Sequence, residues 1–285
     1  METQIERAGG RPRPRSRSTV QIVAVCVVCV VVAFPFYWMV ASSLGSGSAF
    51  VWPPHLVPHS ISFGAYHRIV TERPLGRWFL NTTLVAVATA LFSLLVALNA
   101  GLSLSRFRTR LNGALGGVIL ITQMLPATLL VVPMYVIFKN AHLLDSLWGL
   151  VIADCAFSLP LSIWMLKGFF DSIPPEIEEA AMVDGCSHIG AYYRTTIPLA
   201  LPGIIAVSIF SFMVAWGEFF FARTLINSES NWVLSVGLSS FQGEYTLAWS
   251  DMLAAATLFT VPPLVFFVGL QRYLISGLTG GAVKG

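Results

Sequence analysis

Charge is what this sequence has least of: of its 285 residues only 11% are charged, against 55% hydrophobic. An ordinary soluble domain carries about a quarter charged residues. The core of a soluble protein this size could not hide so much apolar surface behind so few charges, so lipid is the expected solvent. Catalytic signatures are missing as well. No G-x-x-x-x-G-K-[ST] loop occurs, and Lys284 has no such glycine-rich loop before it. H-E-x-x-H and G-x-S-x-G are absent, and His55, His59, His67, His142 and His188 are scattered over loops. Cysteine is scarce too. Cys26 and Cys29 form a C-x-x-C inside the first apolar run with no second ligand pair near, so they read as packing residues and not as a zinc or redox site. The chain is expected to catalyse nothing itself, to bind no cofactor or metal, and to have no nucleic-acid partner.

Long apolar runs are what the sequence does have. A membrane-crossing helix needs about 20 mostly apolar residues. Six segments qualify, at roughly 19–41, 79–104, 114–138, 147–167, 200–222 and 252–274, which predicts an all-α membrane protein with six transmembrane helices. Prolines 35, 126, 133, 160, 262 and 263 fall inside them. Membrane bundles tolerate this because neighbouring groups re-satisfy the freed carbonyls. Placing the N-terminus inside puts 12 of the 17 Lys and Arg residues on the inner side and 5 on the outer, the bias that the positive-inside rule expects. Both termini are therefore expected in the cytoplasm. The first run exceeds the 7–15 residues or so of a signal-peptide core and is expected to stay as a span. Residues 1–18 form a basic cytoplasmic tail, 19–274 the transmembrane domain with an inner loop at about 168–199, and 275–285 a cytoplasmic C-terminal tail.

The loop between the fourth and fifth spans, Ile173 to Pro198, reads as two short helices joined by a turn. Pro174 and Pro175 suit the first helical turn, and Glu176, Glu178 and Glu179 set negative charge at its positive end. Gly185 fits a left-handed C-terminal cap, Ser187 an N-cap, and Pro198 a stop. Ile177, Ala180, Ala181 and Asp184 share one face by spacing. Membrane-surface helices are typically basic. This one is acidic and alanine-faced, which favours a groove on another protein.

Glu179-Ala180-Ala181, then Gly185, then Pro198 stand at the spacing of the EAA loop of binding-protein-dependent ABC importers, which this segment resembles. Thr195 and Ile197 depart mildly from that pattern. Asn81-Thr82, Arg106-Phe107-Arg108, Gln123-Met124-Leu125-Pro126, Lys167 to Pro174 and the ending Gly281-Ala-Val-Lys-Gly285 are similar to the second permease subunit of maltose-type carbohydrate importers. The resemblance implies a type I importer fold in the bacterial cytoplasmic (inner) membrane. It also implies a homologous permease, two ATPase subunits that bind ATP and Mg, an extracytoplasmic solute-binding (lipo)protein, and a carbohydrate substrate.

It further implies ATPase docking through Glu179, Ala180, Ala181, Asp184 and Gly185. Trp232, Phe241, Gln242 and Tyr245 lie in an outer segment that either probes the binding protein or simply connects two spans. Asp154 is expected to line the solute path, to pair with the sister permease, or to sit near the interface. Asn99, Gln123 and Glu218 are further polar candidates for the path or a sister contact. A secondary transporter would show an internal repeat, which is not evident. A membrane enzyme would show clustered catalytic groups.

Overall fold

The structure, a computed structural model, describes residues 19–45, 60–107, 109–241 and 249–282. Among them the backbone is helical, without strands beyond one isolated bridge between Gly45 and Ile61. In chain order the helices are α1 (Thr19–Ser43), α2 (Gly64–Thr71), α3 (Leu75–Arg106), α4 (Arg110–Thr122), α5 (Ala127–Asn140), α6 (Leu147–Asp171), α7 (Glu176–Val183) and α8 (His188–Ala191). A π turn at Tyr192–Thr196 leads to α9 (Ile197–Leu199) and α10 (Leu201–Gly217). After these come α11 (Phe220–Leu225), a 3-10 turn at Glu229–Asn231, α12 (Leu234–Ser239) and α13 (Trp249–Ala282). Among the described residues four helices (α1, α3, α6 and α13) are each long and apolar enough to cross a membrane, and two bent pairs bring the spans to six if each pair counts as one.

Helices α3 and α6 form the spine. Ser93 bonds Ser158 at 2.7 Å, and Ser105 bonds Asp171 at 2.7 Å. Positions rise together along both helices, so the two run parallel. Their approach is close because α3 buries a stripe of small residues: Ala86, Thr89, Ala90, Ser93, Ala97, Gly101 and Ser105. In lipid, where apolar burial gives little driving force between helices, such stripes hold helices by van der Waals packing and short polar bonds. A Cβ on Gly101 would lie 3.1 Å from both Leu166 Cβ and the Lys167 amide nitrogen, which is why this crossing needs glycine. Next to the spine, α10 is tied on by Ser162 and Ser211, 3.0 Å apart and both fully buried. By contrast, α1 buries only Ser43 and leans on α13.

Two spans differ from the sequence expectation. The third, expected as one helix over 114–138, is α4 and α5 meeting at 102°. Pro126 has no N–H to offer the Thr122 carbonyl, and Gln123, Met124 and Leu125 instead donate back to residues 120, 121 and 122 in tight i→i−3 bonds. The fifth was expected over 200–222, but α10 stops at Gly217 and the chain restarts as α11. There the Glu218 carboxylate accepts the Phe221 and Ala222 amides at 2.8 Å each and caps the new helix.

Candidate functional site

The loop between α6 and α10 is built by its prolines and one glycine. Pro174 and Pro175 end the α6 ladder by withholding two amide donors, and the chain turns into α7. At the far end of α7, Gly185 adopts φ +94°, with its amide bonded to the Met182 carbonyl and the Cys186 amide bonded to the Ala181 carbonyl, both at 3.0 Å. This pair of bonds is a Schellman cap, and it requires a left-handed residue. Ser187 then caps α8, its Oγ accepting the Gly190 amide at 3.1 Å. Pro198 does not stop the second helix as spacing predicts. The π turn carries the chain through α9, and α10 leaves at 74° across Ala200.

Burial decides which face of α7 is free. Glu178 points inward: its carboxylate meets Arg106 at 2.8 Å and accepts the hydroxyl of fully buried Thr196 at 2.7 Å. Met182 is half-buried one turn further along the same side. The opposite side carries Glu176, Glu179, Ala180, Val183 and Asp184, all exposed, and Gly185 follows them. Ala181, predicted on the outer face, is half-buried toward its own chain. Val183 completes that face instead, 87% exposed, and beyond the turn Ile189 and Tyr193 stand out at 71% and 58%. These three apolar residues were missed by sequence reasoning. Their only sequence signal was apolarity in a loop otherwise rich in charge. An exposed apolar strip edged by carboxylates is the make-up of a protein contact.

The other candidates are dispersed. Asn99 is exposed on α3 and donates to the Leu95 carbonyl at 2.8 Å, while Gln123 is exposed at the α4–α5 bend and reaches the Phe157 carbonyl at 3.3 Å. Asp154 is 1% exposed, and neither carboxylate oxygen makes a hydrogen bond among the described residues. It is closed inside the chain, not presented at its surface. Glu218 is half-buried at its cap. Phe241 is 5% exposed, with Arg73 above its ring at 5.5 Å, and belongs to the core, while Trp232 is half-buried and packs on Trp78 at a ring distance of 5.7 Å. Gln242 and Tyr245 lie outside the described residues.

At the end of the bundle opposite the loop, Asp145 is a hub that sequence reasoning did not single out. It holds φ +55° between α5 and α6 and binds the 226–231 segment. Its Oδ1 accepts the Asn227 and Ser228 amides at 3.0 and 2.9 Å, Oδ2 accepts the Ser228 hydroxyl, and its backbone carbonyl accepts Asn231 Nδ2 at 2.7 Å. Desolvation pushes the carboxyl up, but the donors from Ser228, Asn227 and Asn231 outweigh it and hold it below the ordinary aspartate range.

A helical bundle of four membrane-length helices, or six spans if each bent pair counts as one, with a capped, solvent-exposed helical loop between α6 and α10, is the architecture of a membrane permease. The chain belongs to the family described as "Binding-protein-dependent transport system inner membrane component", whose model matches residues 90–280. It is therefore a multi-pass inner-membrane protein. It is 35% identical over 257 residues to the diacetylchitobiose uptake system permease protein DasC of Streptomyces coelicolor, a match covering 89% of this chain and 92% of that one. It is 32% identical to the sulfoquinovosyl glycerol transport system permease protein SmoH of Agrobacterium fabrum, covering 88% of this chain and 89% of that one. Its fold is similar to a chain of a bacterial ABC transporter that imports the acidic polysaccharide alginate, with a TM-score of 0.78 at 22% identity, covering 89% of this chain and 95% of that one.

Proposed function

We propose that this chain is a non-catalytic permease subunit of an ATP-driven importer for a carbohydrate, and that it docks its ATPase through the α7–α8 loop. Its partners on this reading are a homologous permease, two ATPase subunits that bind ATP and Mg, and an extracytoplasmic solute-binding (lipo)protein. Both termini face the cytoplasm. The observation that carries the reading is the outer face of α7. It is acidic at Glu176, Glu179 and Asp184, apolar at Val183, and fixed in direction by Gly185 at φ +94°. Lipid headgroups, commonly anionic, repel such a face, whereas a groove with basic rims accepts it.

Three relatives whose names concern carbohydrates support the cargo class: an uptake permease for diacetylchitobiose, one for sulfoquinovosyl glycerol, and an alginate importer. Their cargoes differ widely in size and charge, so the shared bundle supports transport of the class without selecting a member. In this scheme ATP binding closes the ATPase dimer, the loops carry that motion to the bundles, and hydrolysis resets them. ATP contributes by binding one state better than the other.

The test is purification from detergent of the complex expressed from its own gene cluster. Co-purification of an ATPase with the native chain, and its loss with Val183→Glu plus Ala180→Glu, is the expected result. Equal recovery with both chains rejects the docking face.

A further inference from the structure

The end of α3 carries a second device, distinct from the docking face. Because Pro174 and Pro175 lack amide hydrogens, the last carbonyls of α6 lose the donors that a continuing helix would supply. Arg106, the last residue of α3, adds a donor to one of these carbonyls, Phe170, and reaches the Ile173 carbonyl beyond the helix end. Its Nη1 donates to the Phe170 carbonyl at 3.0 Å and its Nη2 to the Ile173 carbonyl at 3.1 Å. The same guanidinium bonds Glu178 of α7 through Nε at 2.9 Å and Nη2 at 2.8 Å. Glu178 in turn accepts the Thr196 hydroxyl from the π turn. Beside this, Ser105 bonds Asp171, which Lys167 also pairs at 2.5 Å. The side chains of Arg106 and Glu178 are only 16% and 18% exposed, so the pair is shielded from solvent.

From this geometry we infer that Arg106 is a positioning residue, a clasp that makes α3, α6, α7 and the π turn one rigid body. The inference rests on the docking reading above and extends it. A push on the outer face of α7 reaches the α3–α6 spine because Arg106 and Glu178 stop the loop from bending on its proline hinge. The three glutamates of α7 thus divide their work: Glu176 and Glu179 face outward, and Glu178 faces the chain's own scaffold. A guanidinium is needed, because its planar fork reaches two carbonyls and a carboxylate together, whereas an ammonium is a single point charge.

The test uses spin labels at Met182→Cys, on the side of α7 away from the docking face, and Leu95→Cys on α3, in a background without the four native cysteines, with distances read by pulsed electron resonance in the assembled complex. With Arg106 present, the 182–95 distribution is expected to stay narrow and to hold its mean when ATP is added. With Arg106→Gln, the ATPase is expected to co-purify as before while the distribution broadens. Stimulation of its ATPase by the binding protein then falls by about tenfold, within the 5–150-fold range usual for coupling between sites. Arg106→Lys should lie between the two. The double variant Arg106→Gln with Glu178→Gln removes the stranded carboxylate, and it must broaden the distribution as the single variant does.

A distribution that stays narrow in both variants overturns the clasp, and so does a native pair whose distance shifts with ATP. Loss of the ATPase from Arg106→Gln alone makes Arg106 part of the docking surface and also overturns it. If the native chain itself retains no ATPase, it is the docking reading that fails, and the distance widths in the isolated chain still decide the clasp.

Discussion

Gly185 is required by its backbone and not by crowding. Nothing lies within 4 Å of where its Cβ would stand, so space is free, yet φ +94° is a conformation that β-branched residues resist. Gly185→Val is expected to cost ~1–3 kcal/mol locally. It redirects the end of α7 and leaves the bundle inserted. Normal membrane level together with a loss of ATPase co-purification checks this; full ATPase retention contradicts it. Asp145 behaves differently, because its role is electrostatic. Its folded carboxyl titrates below the unfolded one, so its contribution is complete above the ordinary aspartate value of 3.8 and is lost as pH falls through the lower folded value. Asp145→Asn keeps the shape but removes the charge that the Ser228 and Asn227 donors bind. The detergent melting temperature of the variant should fall below that of the native chain at pH 7, and the gap should narrow as pH falls below the ordinary aspartate value of 3.8. A gap independent of pH would assign the effect to shape.

Helix pairs show how the elements were chosen. Gly203 on α10 sits where a Cβ would collide with the ring of Phe169 on α6, so the two helices touch through a missing side chain. Gly203→Val is expected to overpack this crossing at a cost of ~1–3 kcal/mol, seen as a lower melting temperature. Phe169→Leu in the same chain should recover part of the loss, and no recovery would place the strain elsewhere. The stripe of small residues on α3 was open to reading in the sequence as a run of Ala, Ser, Thr and Gly, but its partner was not. Only the register of Ser93 with Ser158 and Ser105 with Asp171 identifies α6 as the neighbour and makes the pair parallel. Apolar length alone could not place the break in the third span. Hydropathy sums over a window and is blind to the amide that Pro126 withholds, so α4 and α5 read as one helix.

For the whole molecule the surface tells the same story as the composition. α1 exposes Val20, Val25, Val30 and Val31 at 61–75%, a face suited to lipid or to another permease and costly in water. The proposed orientation predicts that Val183→Cys, in a background without native cysteines, reacts with a membrane-impermeant maleimide only in inside-out vesicles. Thr71→Cys, exposed near the opposite end, should react only from the outside. Reaction from the reverse sides would invert the topology and remove the docking loop from any cytosolic ATPase.

Composition determined that the chain lives in lipid, because 11% charge cannot clothe 55% apolar residues. Run lengths pointed to about six crossings, and the spacing of Glu179, Ala180, Ala181 and Gly185 located the loop proposed to dock an ATPase, since a left-handed glycine cap after an acidic first turn is a local demand. The tertiary structure alone decided which side of α7 faces out. That depends on Arg106, 72 residues upstream of Glu178, and on Thr196 beyond the turn, partners that no local pattern connects. It also buried Asp154 and Phe241 and left Trp232 half-buried against Trp78, because burial is set by which helices meet. Spacing along one helix records only which residues share a face, never what that face touches.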